Sequence, residues 1–127
     1  MSRDKNRILP LMKTLAGCWK TTTEKSLKSV FYELYPHTPE GWNLFYKEDD
    51  YWLNEMNKYC EGKEINNLSE EQEKVLTIIE KIWNKYYDLR FPQIIDYIVF
   101  ITKDCKSNNE IIDELSKIEV KINGEQN

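Results

Sequence analysis

The chain has 127 residues, of which 31% are charged, 40% hydrophobic and 13% aromatic, and it contains only four glycines and four prolines. This composition is typical of one globular domain; it excludes a collagen-like or low-complexity chain, and the aromatic content argues against intrinsic disorder. Eighteen basic and 22 acidic side chains give a net charge of −4, and no apolar run approaches the roughly 20 residues that span a bilayer.

The first third of the chain carries apolar residues at intervals of three and four. The stripe over residues 8–19 predicts an amphipathic helix that begins late or kinks at Pro10, because proline lacks a backbone donor. Thr21 and Glu24 have the spacing of a capping box. That box predicts the start of a second helix, whose apolar face lies over residues 27–34.

Breaks in the pattern then separate the second helix from a third. Two prolines and a glycine predict a loop over residues 35–43. Three acids at residues 48–50 suit a helix N-terminus, because the helix dipole favours negative charge there. The apolar stripe over residues 52–60 predicts a third helix, Gly62 predicts its end, and residues 62–67 are predicted to form a linker.

The second half opens with the clearest capping box of the chain. Ser69 and Gln72 form it, and the stripe over residues 75–86 predicts a long helix behind it. The next helix is predicted to begin near residue 91. Residues 97–101 are rich enough in β-branched and aromatic side chains to form a strand on propensity alone. The preceding three-and-four spacing favours a helix for them instead.

A third capping box precedes the last predicted helix. Ser107 and Glu110 form this box, and the apolar stripe over residues 111–118 follows it. The tail from Glu119 onward is predicted to fray, because the ends of a chain are held by few contacts.

The two halves of the chain are similar at a shift of 64 residues, which lays Trp19 on Trp83. The first two helices match at this shift and the third helices at a shift of 59, so one five-residue deletion reconciles them. Partial agreement between any two amphipathic helices is the alternative explanation. Units of about 60 residues bury too little apolar surface to be stable alone. We therefore predict a single all-α domain over residues 1–127, a compact six-helix bundle of two similar three-helix units at about 1–62 and 68–119.

Two segments carry a resemblance to known proteins. Residues 83–93 contain Trp-x-x-x-x-Asp-Leu-Arg-Phe-x-Gln, and residues 45–49 contain Phe-Tyr-x-Glu-Asp. Both resemble parts of a pattern in small helical proteins of bacteria and their phages, and the uncharacterised YihD-like family has a similar Trp-to-Gln segment. The resemblance implies an all-helical fold and a bacterial or phage source, and it implies no catalytic residue.

Within the first of these segments, an acid and a base stand two positions apart. Asp88 precedes a predicted helix, so we expect it to cap that helix. Arg90 is expected to pair with Asp88, or with Glu24 or Glu80 across the unit. A structural role is the expectation for both residues.

Cysteine and histidine are sparse. Cys18, Cys60 and Cys105 are far apart and odd in number, and no signal peptide precedes them, so we expect a reducing, cytoplasmic location. Zinc requires ligands at short spacing, so the cysteines are predicted to be small buried hydrophobic residues. A nucleophilic triad would depend on His37, the one histidine, in a proline-flanked loop. We therefore predict no enzyme, no metal and no cofactor.

Charge is unevenly distributed along the chain. Residues 1–28 carry seven bases and two acids, whereas residues 29–64 carry three bases and eight acids. The acidic stretch also contains many aromatic side chains, and the neighbours Tyr51 and Trp52 cannot both face inward on one helix. Exposed aromatic residues with an acidic rim are typical of a protein interface; the alternative is a loop that folds back and hides the rings. The predicted contact residues are Trp42, Phe45, Tyr46, Glu48, Asp49, Asp50 and Tyr51.

These observations predict a non-enzymatic inhibitor that occludes another protein with a basic surface, such as a toxin-neutralising immunity protein or a phage anti-defence protein. One alternative is a nucleic-acid-associated module that contacts phosphates, although the net charge of −4 argues against it. Its predicted contact residues are Lys5, Arg7, Lys13, Lys20, Lys25 and Lys28. A further alternative is a structural protein that forms a homodimer or larger oligomer.

Overall fold

A computed structural model describes residues 3–36 and 38–125, and helices joined by loops make up this part of the chain, with no β-strand in it. A short 3-10 helix at Lys5–Arg7 precedes the α-helices. Within the described residues the seven α-helices are α1 (Ile8–Lys20), α2 (Leu27–Leu34), α3 (Pro39–Trp42), α4 (Asp49–Cys60), α5 (Glu70–Lys85), α6 (Phe91–Ile101) and α7 (Asn108–Glu125). The all-α prediction is confirmed. The count of six was wrong, because α3 forms inside the predicted loop between α2 and α4.

Two helix starts follow the capping chemistry of the sequence. The Ser69 hydroxyl accepts from the amide of Gln72 at 3.1 Å, and the Gln72 side chain accepts from the amide of Ser69 at 2.8 Å. This reciprocal pair confirms the capping box at α5. At α7 the Ser107 hydroxyl accepts from the amide of Glu110, but the Glu110 carboxylate accepts from the amide of Lys106 instead of Ser107.

The start predicted for α2 was wrong. The Thr21 hydroxyl donates back to the carbonyl of Cys18 at 2.7 Å, so it closes the end of α1. Ser26 caps α2 instead, accepting from the amide three residues ahead at 3.1 Å. Pro10 lies in the first turn of α1, where a missing backbone donor costs little, and the helix accordingly begins before it.

Two further predictions concern α6 and the end of α7. Residues 97–101 are helical, and the buried side chains of α6 keep the three-and-four spacing. The frayed tail predicted from Glu119 was wrong, because α7 continues to Glu125. Ile122 is buried in that last stretch, which gives the additional turn an apolar contact.

The helices form one packed body around a continuous apolar core. The most extensive contacts join α1 with α4 and α5 with α7, and α1 also packs on α5. The side chain of Arg7 at the start of α1 reaches the loop after α5, and the side chain of Gln72 in α5 reaches the loop after α1. Helices α1 and α5 therefore run in opposite directions.

Three tryptophans are fully buried, and each satisfies its indole N–H within the backbone. Trp19 donates to a carbonyl at 2.8 Å, Trp52 at 3.1 Å and Trp83 at 2.9 Å. Trp52 also packs edge-on against Tyr35 and Phe91, with ring centroids 5.9 and 5.4 Å away. Trp52 thus ties α4 to α6 and fixes the position of the segment that precedes α4.

Candidate protein-binding surface

Two aromatic rings project into solvent from the segment between α2 and α4. Trp42, at the end of α3, is 58% exposed, and Tyr46, in the turn that follows, is 73% exposed. The Thr38 hydroxyl caps α3 by accepting from the amide of Gly41 at 3.1 Å. Gly41 lies so close to Pro36 that a Cβ atom there would stand 1.8 Å from the Pro36 carbonyl oxygen. These local contacts hold the two rings in place.

The other two predicted aromatic contacts lie further in. Phe45 is half-buried against the core and meets the Tyr46 ring edge-on at 5.1 Å. Tyr51 is half-buried too, with its ring 5.0 Å from that of buried Trp52. Burial raises the pKa of the Tyr51 hydroxyl. Trp42 and Tyr46 therefore form the outer layer of the predicted surface, and Phe45 and Tyr51 support it.

Two of the three predicted acids are held by arginines from distant parts of the chain. The Glu48 carboxylate lies 3.0 Å from the Arg3 guanidinium and 3.1 Å from that of Arg90. Hydrogen bonds from Arg3 and then Arg90 hold the pKa of Glu48 below its ordinary value. Asp49 pairs with Arg7 at 3.3 Å, yet burial outweighs this attraction and raises the pKa of Asp49. Asp50 is exposed in the first turn of α4. Arginines therefore neutralise two of the three predicted acids, and Asp50 keeps its negative charge at the surface.

Arg7 holds this group of charges to the body of the protein. Its guanidinium donates to the carbonyls of Tyr87 at 2.9 Å and Leu89 at 2.6 Å, and it lies 5.4 Å above the ring of Trp83. Burial lowers its pKa, and its Nε is buried without a hydrogen-bond partner. Arg7 therefore joins the start of α1 to α4 and to the loop between α5 and α6. We call the whole group the arginine–carboxylate cluster; its members are Arg3, Arg7, Glu48, Asp49, Asp88 and Arg90.

Asp88 and Arg90 both make structural contacts, but with partners other than the predicted ones. The Asp88 carboxylate accepts from the backbone amide of Arg3 at 2.6 Å and does not cap α6. The amide of Arg90 donates to the Gln93 side chain at 2.7 Å, and its guanidinium pairs with Glu48 while lying 5.7 Å from the Tyr46 ring. The observed carboxylate partner of Arg90 is thus Glu48, whereas the predicted partners were Asp88, Glu24 and Glu80.

The six bases of the nucleic-acid alternative are dispersed. Arg7 is committed to the arginine–carboxylate cluster, and Lys25 pairs with Glu33 at 2.7 Å. Lys28 lies 3.5 Å from the carbonyl of Lys103. Lys5 lies in the 3-10 helix before α1. Lys13 and Lys20 lie within α1, a 13-residue helix of about 20 Å. The bases therefore extend over the length of α1 and beyond it.

Within residues 3–36 and 38–125, no three His, Cys, Asp or Glu side chains converge as metal ligands. His37, on which a nucleophilic triad would depend, lies outside the described residues. No described helix is both long enough and apolar enough to cross a lipid bilayer.

Comparison with known proteins identifies no relative. No protein-family model matches the chain, and no curated protein or solved structure is detectably similar to it. The resemblance to the YihD-like family stays a prediction. The geometry of the described residues is therefore the basis for the functional proposal.

Proposed function

We propose that the protein is a non-enzymatic binding protein that inserts Trp42 and Tyr46 into the surface of a partner protein and occludes it. The observation that carries this proposal is the exposure of two large aromatic rings, 58% and 73%, on a segment held by the fold. Tryptophan and tyrosine dominate the energetics of protein interfaces, and exposed apolar clusters on soluble domains often mark binding sites.

The way this segment is held supports the same function. Thr38 caps α3, Gly41 packs against a backbone carbonyl, and the Arg90 guanidinium lies beside the Tyr46 ring. A side chain that is ordered before binding loses less conformational entropy when the complex forms. The surface is thus suited to rigid docking.

The charges on the folded surface favour a basic partner less strongly than the charge count along the sequence does. Of the three predicted acids, Arg3 and Arg90 compensate Glu48 and Arg7 compensates Asp49, which leaves Asp50, exposed in the first turn of α4, to attract a basic partner. The aromatic anchors would supply most of the affinity, and charge would orient the partner and speed its approach. An immunity protein or a phage anti-defence inhibitor would act in this way, by covering the working surface of a toxin or a defence protein.

The test compares two double variants of the full chain. The variant Trp42→Ala/Tyr46→Ala removes the two exposed rings. The control variant Ile65→Ala/Phe100→Ala removes two large apolar side chains from other parts of the surface, which are 72% and 68% exposed. Each tagged protein is used to purify partners quantitatively from the source cells, and the strongest partner is then titrated in pure form. We expect the first variant to lose at least about tenfold in affinity, or about 1.4 kcal/mol, and the control to lose none. Equal retention of every partner by both variants would overturn the proposal.

The two alternatives have their own measurements. A nucleic-acid module would bind labelled mixed-sequence DNA or RNA, with an affinity that falls steeply between about 50 and 200 mM salt. A structural homo-oligomer would show a multiple of the 15.3 kDa chain mass by light scattering. We expect a monomer without nucleic-acid binding, and either other result would favour the corresponding alternative.

We further infer that the six longer helices form two similar units, α1-α2-α4 and α5-α6-α7. The strongest support is the matched pair Trp19 and Trp83: each is buried, and each donates to the carbonyl six residues ahead, that of Lys25 or Leu89. Both the donors and the acceptors are 64 positions apart. In each unit the first helix also packs chiefly on the third, α1 on α4 and α5 on α7.

The contacts between the units support an approximate two-fold relation. Arg7, at the start of the first unit, donates to the carbonyl of Tyr87, and Gln72, at the start of the second, donates to the carbonyl of Thr23. Thr23 and Tyr87 are again 64 positions apart. Each unit thus reaches into the same loop of the other, as expected for a duplicated unit that first existed as a symmetric dimer.

A further inference from the structure

Two cysteines that are far apart in the sequence meet in the first unit. Cys18 is fully buried on α1, and Cys60 is half-buried as the last residue of α4. Their sulfur atoms are 3.5 Å apart, with the Cys60 thiol donating to Cys18 and the Cys18 thiol donating to the carbonyl of Met56 at 3.3 Å. The prediction that the cysteines are small buried hydrophobic residues is confirmed for Cys18, whereas Cys60 and Cys105 are only partly buried.

The second unit has no such pair. The position that matches Cys18 is Ile82, and the position that matches Cys60 at the shift of 59 is Glu119. Ile82 is buried, whereas Glu119 lies 3.5 Å from Lys81 in an ion pair. The same helix packing therefore forms without sulfur, and the paired thiols need an explanation other than core packing.

We propose that Cys18 and Cys60 are a redox modification site that forms a reversible disulfide when the protein meets a peroxide. Cys60, the accessible thiol, reacts first: its sulfur attacks one peroxide oxygen, the O–O bond breaks, and water leaves to give a sulfenic acid at Cys60. The Cys18 sulfur then attacks the Cys60 sulfur, the S–O bond breaks, and a second water carries away the Cys18 proton. Two thiols and one hydrogen peroxide give one disulfide and two waters, so sulfur loses the two electrons that peroxide gains.

The local structure permits this closure. A disulfide needs its sulfur atoms at about 2.05 Å, so the pair must approach by roughly 1.5 Å from the 3.5 Å of the reduced form. Cys60 ends α4, and the following turn passes through Gly62 with a positive φ of 73°, where the chain is no longer held by helical hydrogen bonds. The end of α4 at Cys60 can therefore shift while the earlier turns of the helix stay in place.

Burial decides the order of the two steps. It raises the pKa of the Cys18 thiol, so this sulfur stays protonated and is shielded from the oxidant. Cys18 is thus the resolving thiol, and it loses its proton to the departing water as its sulfur attacks the sulfenic acid formed beside it. Because a thiolate is the species that attacks a peroxide, the rate of the first step should rise with pH.

The test treats the reduced full chain with a small excess of hydrogen peroxide and then measures its intact mass. We expect a loss of about 2 Da, the two hydrogens removed in this chemistry, the loss of two of the three thiols, and a linked peptide pair that contains residues 18 and 60. A dithiol reductant should reverse all three, and the Tm of the oxidised chain should rise by several degrees because the link restricts the unfolded state.

Two variants make the result specific. Cys105→Ser is the matched control and should behave as the wild type, because Cys105 takes no part in the contact. Cys60→Ser should show neither the mass loss nor the rise in Tm, and circular dichroism of the reduced protein verifies its fold. The proposal is overturned if the wild type only gains oxygen at Cys60, or if the only disulfide involves Cys105.

Discussion

The connections between the second and third helices differ between the two proposed units, α1-α2-α4 and α5-α6-α7. In the second unit, α6 and α7 are joined by residues 102–107 alone. In the first unit, the connection from α2 to α4 is longer and contains α3, Trp42 and Tyr46. In both proposed units the first helix packs chiefly on the third. If the units are related as proposed, a common helical frame supports the molecule, and the candidate binding surface lies in the longer of the two connections.

The largest expected effect concerns the reciprocal contacts between the units. Arg7→Met removes a cation that pairs with Asp49 and satisfies two carbonyls, so we expect the free energy of unfolding to fall by about 3 kcal/mol. The matching change Gln72→Met removes a neutral donor to Thr23 and part of a helix cap, and should cost about 1–2 kcal/mol. Urea denaturation measures both losses. Equal losses would mean that the arginine–carboxylate cluster adds nothing beyond the shared contact.

The matched tryptophans test the similarity of the units directly. Trp19→Phe and Trp83→Phe each shrink a fully buried side chain and leave one carbonyl without its donor. We expect each to lower the free energy of unfolding by about 2 kcal/mol, because the two environments are alike. Urea denaturation again gives the values. A difference larger than about 1 kcal/mol, well outside the usual error of additivity, would contradict equivalent roles.

A third change addresses the long connection alone. Gly41→Ala places a Cβ against the Pro36 carbonyl, so the segment must move, and we expect a loss of about 1–2 kcal/mol. Hydrogen exchange should speed up at residues 38–46 and nowhere in the core. Gly17→Ala is the control: it lies within α1 with open space around it and should add about 0.5–1 kcal/mol through helix propensity. Unchanged exchange in Gly41→Ala would show that the rings are not held by this contact.

The smallest effect is a pH dependence in which two neighbouring acids oppose each other. The pKa of Glu48 is lowered in the folded state, so its contribution is present above pH 4.5 and is lost as the pH falls. The pKa of Asp49 is raised in the folded state, so its contribution to the free energy of unfolding is present below pH 3.8 and is lost as the pH rises. Urea denaturation of Glu48→Gln and Asp49→Asn between about pH 3 and 7 should reveal opposite slopes. Because Glu48 is more than half exposed, its effect should stay below about 1 kcal/mol; parallel slopes would refute the assignment.

Local patterns predicted most of the helices, and their failures have a physical cause. The Ser69 and Gln72 capping box was read correctly because all of its atoms lie within one turn. Thr21 was predicted to cap α2, whereas Ser26 caps it in the structure. The choice depends on Trp19, whose indole binds the carbonyl of Lys25 and holds the loop until Ser26. That contact depends on burial in the core, which local spacing does not describe.

The candidate surface was predictable only as a list of residues. Exposure of some aromatic side chains in this stretch was expected because the neighbours Tyr51 and Trp52 cannot both face inward on one helix. The helix α3, which carries Trp42, was not expected. The acidic rim was misjudged because charge was summed along the chain. Arg3, Arg7 and Arg90 arrive from other elements and compensate Glu48 and Asp49, and no count over residues 29–64 contains them.

The amino-acid sequence by itself determined the helical character of the chain and the spacing of its apolar faces, and it is the origin of the proposed similarity of its halves. These properties depend on interactions that recur every three or four residues, or on matched side chains 64 positions apart. Only the tertiary structure decided which charges meet and which aromatic rings stay outside, and it alone brought Cys18 to Cys60. Such contacts join residues 40 to 90 positions apart on separate helices, so the packing of the whole core sets their distances.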